Sequence, residues 1–306
     1  MYLINIVKKW FQYQADFGIK FAFQFLIINR FRKDMQYKHN IVLNYLENKY
    51  THVLCKYKDA YSTKETLKPD CPIWVCWYQG EVNMPPIVKA CYNSIKQHSA
   101  HHSVHLITSE NIEKYISMPQ YIADKVKRGT ISLTQYSDII RNKILSIYGG
   151  IWLDATLYLT DELKNWEYPF YSLKQNKQDD LFFVSRYRWS SYCMGGVKNN
   201  LINIFVSELL YEYHKKQSIL IDYFLIDYAI ELGYKNIPAI RNMIDNIPLS
   251  NPYIFYLDNN LKNRYDECEF SKIKKDTHIF KLSWKLNNVS SFPKDSYYKK
   301  ILSNSI

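Results

Sequence analysis

One carboxylate stands at the end of an apolar segment that begins with two glycines. The stretch YGGIWLDAT, residues 148 to 156, reaches Asp154 after a run of bulky apolar side chains. A buried carboxylate without a partner is costly, so Asp154 is expected to meet a charged group or a ligand.

The segment before it, YSDIIRNKILSIYGG (136–150), carries Asp138 and Arg141 three residues apart. Apolar residues at helical spacing mark a different face of the same predicted helix. A guanidinium is suited to forked hydrogen bonding with paired oxygen atoms, such as those of a phosphate. The alternative is an ordinary ion pair within the helix, which at a surface contributes little.

The elements that must position these side chains alternate from about residue 70. The spacing predicts strands over 71–79, 103–108, 151–159 and 180–185, and helices over 85–98 and 132–148, the second closed by Gly149. Ser109 is a candidate cap for a short helix after the second strand. Alternating strands and helices predict an α/β fold with a largely parallel sheet and helices on both faces. Ligands bind beyond the carboxyl ends of such strands, which is where Asp154 is expected.

Composition places the chain among globular proteins with an anionic partner. It has 306 residues, a net charge of +11 and 47% hydrophobic residues. Its six cysteines form no CxxC pair, which favours reduced thiols over disulfides or zinc. Charge alone would also fit a nucleic-acid-binding protein, but no base-reading motif accompanies it, so no nucleic-acid partner is expected.

The first sixty residues hold ten Lys/Arg against four Asp/Glu, with aromatic residues between the charges. Phe17, Phe21 and Phe25 recur on one helical face. This segment is either a helical hairpin packed on the main domain or a basic amphipathic segment on an anionic membrane. No secretory signal is convincing, because the apolar stretch 17–29 is interrupted by Lys20 and Gln24 and has no cleavage site. A cytoplasmic protein is expected; in the membrane alternative it would be peripheral on the inner face of the cytoplasmic membrane.

The segment SDIIRNKILSIYGGIWLDATLYL (137–159) resembles the core motif of glycosyltransferase family 32, specifically its capsular polysaccharide synthesis proteins. IWVCWYQGEVNMPPIVKACYNSIKQH (73–98) is similar to the first strand and helix of that family. The resemblance is good over residues 70–160, looser over 180–290 and not evident over the first sixty. It implies a GT-A-type fold with a Rossmann-like, mostly parallel sheet and an N-terminal helical extension over 1–65. The glycosyltransferase domain would span 66–306, with a nucleotide-sugar half over 66–165 and an acceptor half over 166–306.

The resemblance implies a retaining glycosyltransferase that moves a hexose from a nucleoside diphosphate sugar, such as a UDP-sugar, to a hydroxyl. The acceptor would be a capsular or exopolysaccharide repeat unit, as a polysaccharide or a polyprenyl-diphosphate-linked oligosaccharide. The alternatives are a lipooligosaccharide or protein glycosyltransferase, and a non-catalytic membrane-associated scaffold with the same fold.

Residues matching Asp138, Arg141 and Asp154 would face the donor ribose and sugar. The full donor-binding set implied is Trp77, Tyr78, Gln79, Ser137, Asp138, Arg141, Asp154, Ala155, Thr156, Lys281 and Trp284. Trp77 and Tyr78 could instead be core residues.

A divalent metal, Mn²⁺ or Mg²⁺, is implied by the family's Asp-x-Asp element. Here the second aspartate is Thr156, whose neutral hydroxyl is a poorer ligand than a carboxylate. The segment DTHIFKLSWK (276–285) resembles the family's closing segment, in which a histidine binds the metal. The implied ligands are therefore Asp154, Thr156 and His278, although His278 could equally be a satisfied histidine in a final strand.

The catalytic step is predicted less sharply. IDYFLIDYAI (221–230) carries Asp222 and Asp227, and the resemblance assigns Asp222 to the sugar or acceptor. Asp222 could also be a helix N-cap or a structural carboxylate. The glycines of SSYCMGGVKNN (190–200) are expected to let a ligand approach closely. Front-face transfer, without a protein nucleophile, is favoured over double displacement.

Overall fold

The computed structural model describes residues 2–27, 34–164, 166–177 and 179–306, with residues 2–9 and 26–27 described by their backbone alone. The basic side chains of the N-terminal segment at Lys8, Lys9, Arg30, Arg32 and Lys33 lie outside this description.

Helices and short strands follow one another along the described chain. The helices are α1 Tyr2–Phe17, α2 Ile19–Ile27, α3 Met35–Lys49, α4 Thr51–Tyr57, α5 Pro86–Gln97, α6 Gln120–Lys127, α7 Leu133–Tyr148, α8 Leu201–Lys216, α9 Leu225–Asn236, α10 Pro238–Asp245, α11 Tyr256–Asn260, α12 Glu267–Asp276 and α13 Tyr297–Leu302. The strands are β1 Ile73–Cys76, β2 Val104–Ile107, β3 Gly150–Leu153, β4 Leu157–Leu159, β5 Phe170–Ser172, β6 Cys193–Gly196 and β7 Ile279–Lys281. Short 3₁₀ turns cover Glu81–Asn83, Ile112–Lys114 and Val289–Ser291.

The central sheet has five strands in the order β2-β1-β3-β6-β5. Strand β1 pairs in parallel with β2 and β3, whereas β6 runs antiparallel to both β3 and β5. Every strand of this sheet except β6 therefore points the same way. This mixed α/β architecture confirms the predicted fold class and is consistent with the GT-A type. The domain boundaries predicted at residues 65 and 165 stay predictions.

Helix α7 forms as its sequence predicts. Ser132 and Gln135 make a reciprocal capping box at its start, which satisfies two backbone donors that a helix N-terminus leaves unpaired. Gly149 ends the helix with a φ of 68°, and a Cβ there would lie 2.5 Å from the backbone nitrogen of Lys198. Only glycine fits this turn. The turn leads directly into β3 and thus fixes the distance from Arg141 to Asp154.

The strand predicted over 151–159 is wrong in one respect, because it breaks in the middle. The Asp154 N–H donates to the Tyr192 carbonyl at 2.9 Å, and the Leu157 N–H donates back to the Asp154 carbonyl at 2.9 Å. The chain turns here and leaves the central sheet. It continues as β4, which pairs antiparallel with β7.

The strand predicted over 180–185 is also wrong. The Asp180 side chain accepts the Phe182 N–H at 2.8 Å, and Arg186 and Tyr187 have φ values of 46° and 56°, so the segment turns. Strands β5 and β6 provide the remaining sheet instead. Ser109 is not the predicted cap; Asn111 binds the local backbone through its side chain.

The four N-terminal helices pack on the main body of the protein. Tyr13 stacks on Phe25 at 5.1 Å, and Phe21 lies 5.1 Å from Tyr45 of α3. The Asp16 carboxylate accepts backbone N–H groups of Ser218 and Ile219 at 2.5 and 2.7 Å. The phenylalanine stripe of α1 and α2 is therefore buried core, as the packed-hairpin alternative predicts.

Candidate active site

Two compartments of one cleft meet beyond the carboxyl end of β3. The outer compartment has a volume of about 450 Å³, and the inner compartment has a volume of about 310 Å³. The residues that line both, and so form the junction, are Thr134, Ser137, Asp154, Tyr223 and Lys281. The cleft lies at the sheet edge where ligands bind in open α/β folds.

Asp154 is the most highly connected side chain at the junction. Its Oδ1 accepts hydrogen bonds from Arg141 Nη2 at 3.0 Å and Trp152 Nε1 at 2.9 Å. Its Oδ2 accepts one from Lys281 Nζ at 3.0 Å. The carboxylate at the end of the apolar strand thus has two cations as partners, while a quarter of its side chain remains exposed to the cleft.

Arg141 projects from α7 and is buried. Its Nη1 also lies 3.2 Å from Asp138 Oδ1, and the guanidinium lies 5.2 Å from the Trp152 ring centre. The predicted intrahelical ion pair therefore exists, but it extends to Asp154 and faces the inner compartment. In the described part of the chain, Arg141 Nε and Nη1 lack a partner in hydrogen-bond geometry. Buried donors of this kind are available to a ligand oxygen.

Burial and neighbouring charge shift the carboxyl groups of the site in opposite directions. Burial raises the pKa of Asp138 to about 7, although Arg141 opposes the shift. Burial would also raise the pKa of Asp154, but Lys281, Arg141 and the Trp152 hydrogen bond lower it below its usual value. Asp154 is therefore ionised at neutral pH, whereas Asp138 can carry a proton.

The outer compartment has aromatic walls. Trp77 and Trp284 meet edge to face with ring centres 5.7 Å apart, and Trp284 is 41% exposed. Tyr78, Gln79, Ala155 and Thr156 also line this compartment, so the predicted donor-binding residues of β1 and the closing segment come together here. Trp77 is half-buried and faces the cleft rather than the core.

The inner compartment contains a carboxylate that sequence reasoning did not select. Asp227, in the first turn of α9, lines it together with Asp138 and accepts the Trp189 Nε1–H at 2.8 Å. Burial raises the pKa of Asp227 to about 6, although the hydrogen bond from Trp189 opposes this shift. Aromatic side chains complete the wall, namely Phe183, Tyr187, Trp189, Tyr192, Tyr223, Phe224 and Phe255.

Asp222, the residue assigned by sequence, lies outside the lining of both compartments. Its Oδ2 lies 2.5 Å from Lys38 Nζ and its Oδ1 accepts the Phe224 N–H at 3.0 Å. It joins α3 to the turn before α9 and is nearly fully buried. This is the structural role that the alternative interpretation of Asp222 describes.

The glycines of residues 190–200 also differ from expectation. Gly195 and Gly196 are buried in β6, and a Cβ on Gly196 would lie 2.8 Å from the Asn203 Oδ1. They permit close packing of the sheet rather than the approach of a ligand. Ser190, Ser191 and Tyr192, just before the strand, do line the inner compartment.

The residues proposed to hold a metal do not fit that role. His278 lies at the far end of β7, where its carbonyl accepts the Thr160 N–H at 3.0 Å and its charged neighbours are Asp161 and Lys164. Lys281 Nζ binds Thr156 Oγ1 at 2.7 Å, and so an ammonium already bridges Asp154 and Thr156. Within the described ranges, no cluster of three His, Cys, Asp or Glu side chains is placed to hold a metal ion.

Residues 23–301 match the sequence profile of the capsular polysaccharide synthesis proteins. The chain belongs to that family. The match begins within α2, so the family region includes the second half of α2 and all of α3 and α4, for which the sequence motifs alone indicated no resemblance.

Two further proteins resemble this family member. The "O-glycosyltransferase braB" of Annulohypoxylon truncatum is 27% identical over 106 residues, which are 32% of this chain and 25% of that protein. The chain thus spans about a quarter of the length of that relative. Among solved structures, "PaToxG Glycosyltransferase" aligns over 78% of this chain and 95% of its own, with 13% identity and a TM-score of 0.39.

Proposed function

We propose that this chain is a glycosyltransferase that moves a hexose from a nucleoside diphosphate sugar, such as a UDP-sugar, to a hydroxyl of a capsular polysaccharide acceptor. Its family and the glycosyltransferase similar to it over 106 residues support this reaction class. The observation that carries the proposal is the separation of charge between the two compartments.

The outer compartment is cationic and aromatic. Lys281 and Lys285 line it, and among its described lining residues Asp154 is the one carboxylate. A diphosphate needs compensating positive charge and a nucleobase needs a flat apolar face, so this compartment suits the nucleoside diphosphate.

The inner compartment is acidic and aromatic. Asp138, Asp154 and Asp227 line it together with Arg141 and Lys281. Carboxylates accept hydrogen bonds from sugar hydroxyls, and aromatic rings pack on the apolar faces of a pyranose. This compartment suits the transferred sugar and the acceptor hydroxyl, with the bond to be broken at the junction.

The reaction proposed is a front-face transfer that retains anomeric configuration. The bond between the anomeric carbon and the β-phosphate oxygen breaks, and its electron pair stays on the diphosphate. The acceptor oxygen forms the new bond on the same face, and its proton passes to the leaving diphosphate oxygen. Asp154, held by Arg141 and Lys281, would orient the donor rather than attack it.

Hydrolysis of a panel of nucleotide sugars tests the proposed function. We expect saturable hydrolysis of one donor by the wild-type chain, and none by Asp154→Asn. Asp161→Asn is the matched control, since Asp161 forms an exposed ion pair with Lys164 away from the cleft. Absence of binding and hydrolysis for every donor would favour the scaffold alternative.

We also propose that the acceptor is lipid-linked and that the N-terminal helices lie on an anionic membrane. No helix in the described ranges has the length and apolarity needed to span a bilayer. Phe11, Ile19 and Phe23 are about three-fifths exposed on α1 and α2, beside the exposed Lys20. Exposed apolar side chains with nearby positive charge favour binding to an anionic lipid surface.

Flotation with anionic liposomes tests this membrane role. Replacing Phe11, Ile19 and Phe23 with serine is expected to abolish co-flotation without changing donor hydrolysis. Serine at Tyr61 and Val82, two large side chains that are more than nine-tenths exposed elsewhere, is the control. Equal flotation of both variants would exclude the proposed surface.

A further inference from the structure

We infer that the Lys281 ammonium, and not a divalent metal ion, stabilises the diphosphate that leaves when the glycosidic bond to the donor breaks. This inference rests on the proposed glycosyl transfer. It departs from the metal dependence that the Asp-x-Asp element of the family implies.

The side-chain oxygens at the junction that could ligate a metal already accept hydrogen bonds from cationic side chains. Asp154 Oδ1 accepts from Arg141 and Trp152, and Asp154 Oδ2 accepts from Lys281. Thr156, which stands where the second aspartate would be, accepts from the same ammonium at 2.7 Å. Mg²⁺ and Mn²⁺ prefer carboxylate and carbonyl oxygens with little competition from nearby positive charge. A metal here would have to displace Lys281 and would gain one neutral hydroxyl as its second ligand.

The backbone holds Lys281 in this position. Leu157 of β4 pairs with Lys281 of β7 in antiparallel register. The Leu282 N–H donates to the Thr156 carbonyl and the Lys281 N–H donates to the Ile254 carbonyl, both at 2.9 Å. These bonds hold the lysine backbone on both sides, so the ammonium is aimed at Asp154 and Thr156 before a ligand arrives. Such preorganised charge stabilises a developing anion without the cost of reorganisation.

The remaining contacts of Lys281 leave it accessible to a ligand. Its Nζ lies 4.9 Å from the Tyr192 ring centre, and its side chain is 23% exposed. It lines both compartments and therefore stands between the proposed diphosphate and sugar positions. Lys285, on the outer wall, supplies a second positive charge on the side of the diphosphate.

The chemistry required is modest. As the anomeric carbon–oxygen bond breaks, the electron pair stays on the β-phosphate oxygen and negative charge increases there. Lys281 would donate a hydrogen bond to that oxygen and remain protonated throughout. Asp154 and Thr156 would hold the ammonium in place from the opposite side.

Three measurements test the inference. Donor hydrolysis by the wild-type chain is expected to be the same in excess EDTA as in Mn²⁺ or Mg²⁺. UDP binding measured by calorimetry is expected to have the same Kd under both conditions. Electron paramagnetic resonance of Mn²⁺, titrated with and without UDP, is expected to give the same amount of bound Mn²⁺ for the wild type and for Asp154→Asn.

Lys281→Met should lower turnover by roughly 10²–10³-fold, the usual loss for one oxyanion-stabilising donor.

Lys281→Arg and Lys285→Met complete the comparison. Arginine preserves the charge and should retain part of the activity, whereas Lys285→Met should chiefly weaken UDP binding. Loss of hydrolysis in EDTA with restoration by Mn²⁺, or Mn²⁺ binding that depends on Asp154, would overturn the inference and leave the glycosyltransferase intact. Failure to bind or hydrolyse any donor would overturn the proposed function, and the Mn²⁺ titration would still decide whether Asp154 binds metal.

Discussion

Arg141 Nη2 donates to Asp154 Oδ1 across 3.0 Å and thereby joins the third turn of α7 to the end of β3. The glycine turn at Gly149 and Gly150 lets the chain reverse between them, and the guanidinium is buried against Trp152. This pair organises the junction of the cleft, so changes to either residue should affect activity more than the fold.

Asp154→Asn should abolish transfer and keep the fold, because the amide retains the shape but cannot balance two cations. Asp154→Ala should also abolish transfer and should lower the free energy of unfolding by about 1–3 kcal/mol, since it leaves buried donors unpaired. Urea unfolding followed by circular dichroism, together with donor hydrolysis, measures both effects. Wild-type turnover in Asp154→Asn would contradict the assigned role.

Arg141→Lys should be nearly as damaging as Arg141→Ala. Arg141 reaches Asp138 and Asp154 with separate nitrogens, and a single ammonium cannot reproduce that fork. We expect a loss of roughly 10²-fold or more in kcat/KM, the scale of one electrostatic contact to the reacting group. Arg264→Lys, at an exposed ion pair with Asp295, is the control and should have no effect.

Asp227 and Asp222 should respond differently to the same substitution. Asp227→Asn should reduce kcat/KM for the donor without loss of stability, because Asp227 faces the inner compartment. Asp222→Asn should lower stability by about 1–3 kcal/mol and leave kcat almost unchanged, because it breaks the buried pair with Lys38. The opposite pattern would restore Asp222 as the residue that meets the substrate.

The pH dependence should reveal Asp227 directly. Burial raises the pKa of the Asp227 carboxyl to about 6 in the folded state. As the pH rises from the ordinary aspartate pKa to about 6, the unfolded state loses this proton more readily, so the free energy of unfolding decreases. Asp227→Asn should therefore gain stability relative to the wild type at pH 8 but not at pH 4. If the donor binds the ionised Asp227, donor affinity of the wild type should fall as the pH drops below 6. In Asp227→Asn, which has no carboxyl group to titrate there, this fall in affinity should be absent. Equal stability differences at both pH values would exclude a raised pKa for Asp227.

Trp284→Ala should weaken nucleotide binding. The ring is partly exposed and meets Trp77 at the outer wall, where a base could stack. Loss of one stacking platform costs about 1–3 kcal/mol, which is roughly 5- to 150-fold in Kd for UDP. Trp284→Phe retains an aromatic face and should lose less. An unchanged Kd in Trp284→Ala would place the base elsewhere.

The parts of the site that depend on nearby sequence could be predicted. Helix α7 and its Gly149 end follow from local signals, and so does the position of Asp154 after an apolar strand. The outer aromatic wall follows from a family resemblance at β1 and the closing segment.

The parts that depend on distant packing could not be predicted. Asp222 and Asp227 lie five residues apart in one segment, and only the approach of Lys38 from α3 shows which one is structural. The contact of Lys281 with Asp154 and Thr156 depends on the pairing of β4 with β7, which are more than a hundred residues apart. Strand β6 reads Cys-Met-Gly-Gly, and its two glycines have low strand propensity, while β5 spans only three residues.

The most direct test of the glycosyltransferase assignment is donor hydrolysis by the wild-type chain and by Asp154→Asn, measured side by side across a panel of nucleotide sugars. We expect saturable release of the nucleoside diphosphate from one donor by the wild type and none by the variant. Equal release by both proteins, or no binding of any nucleotide sugar, would contradict it.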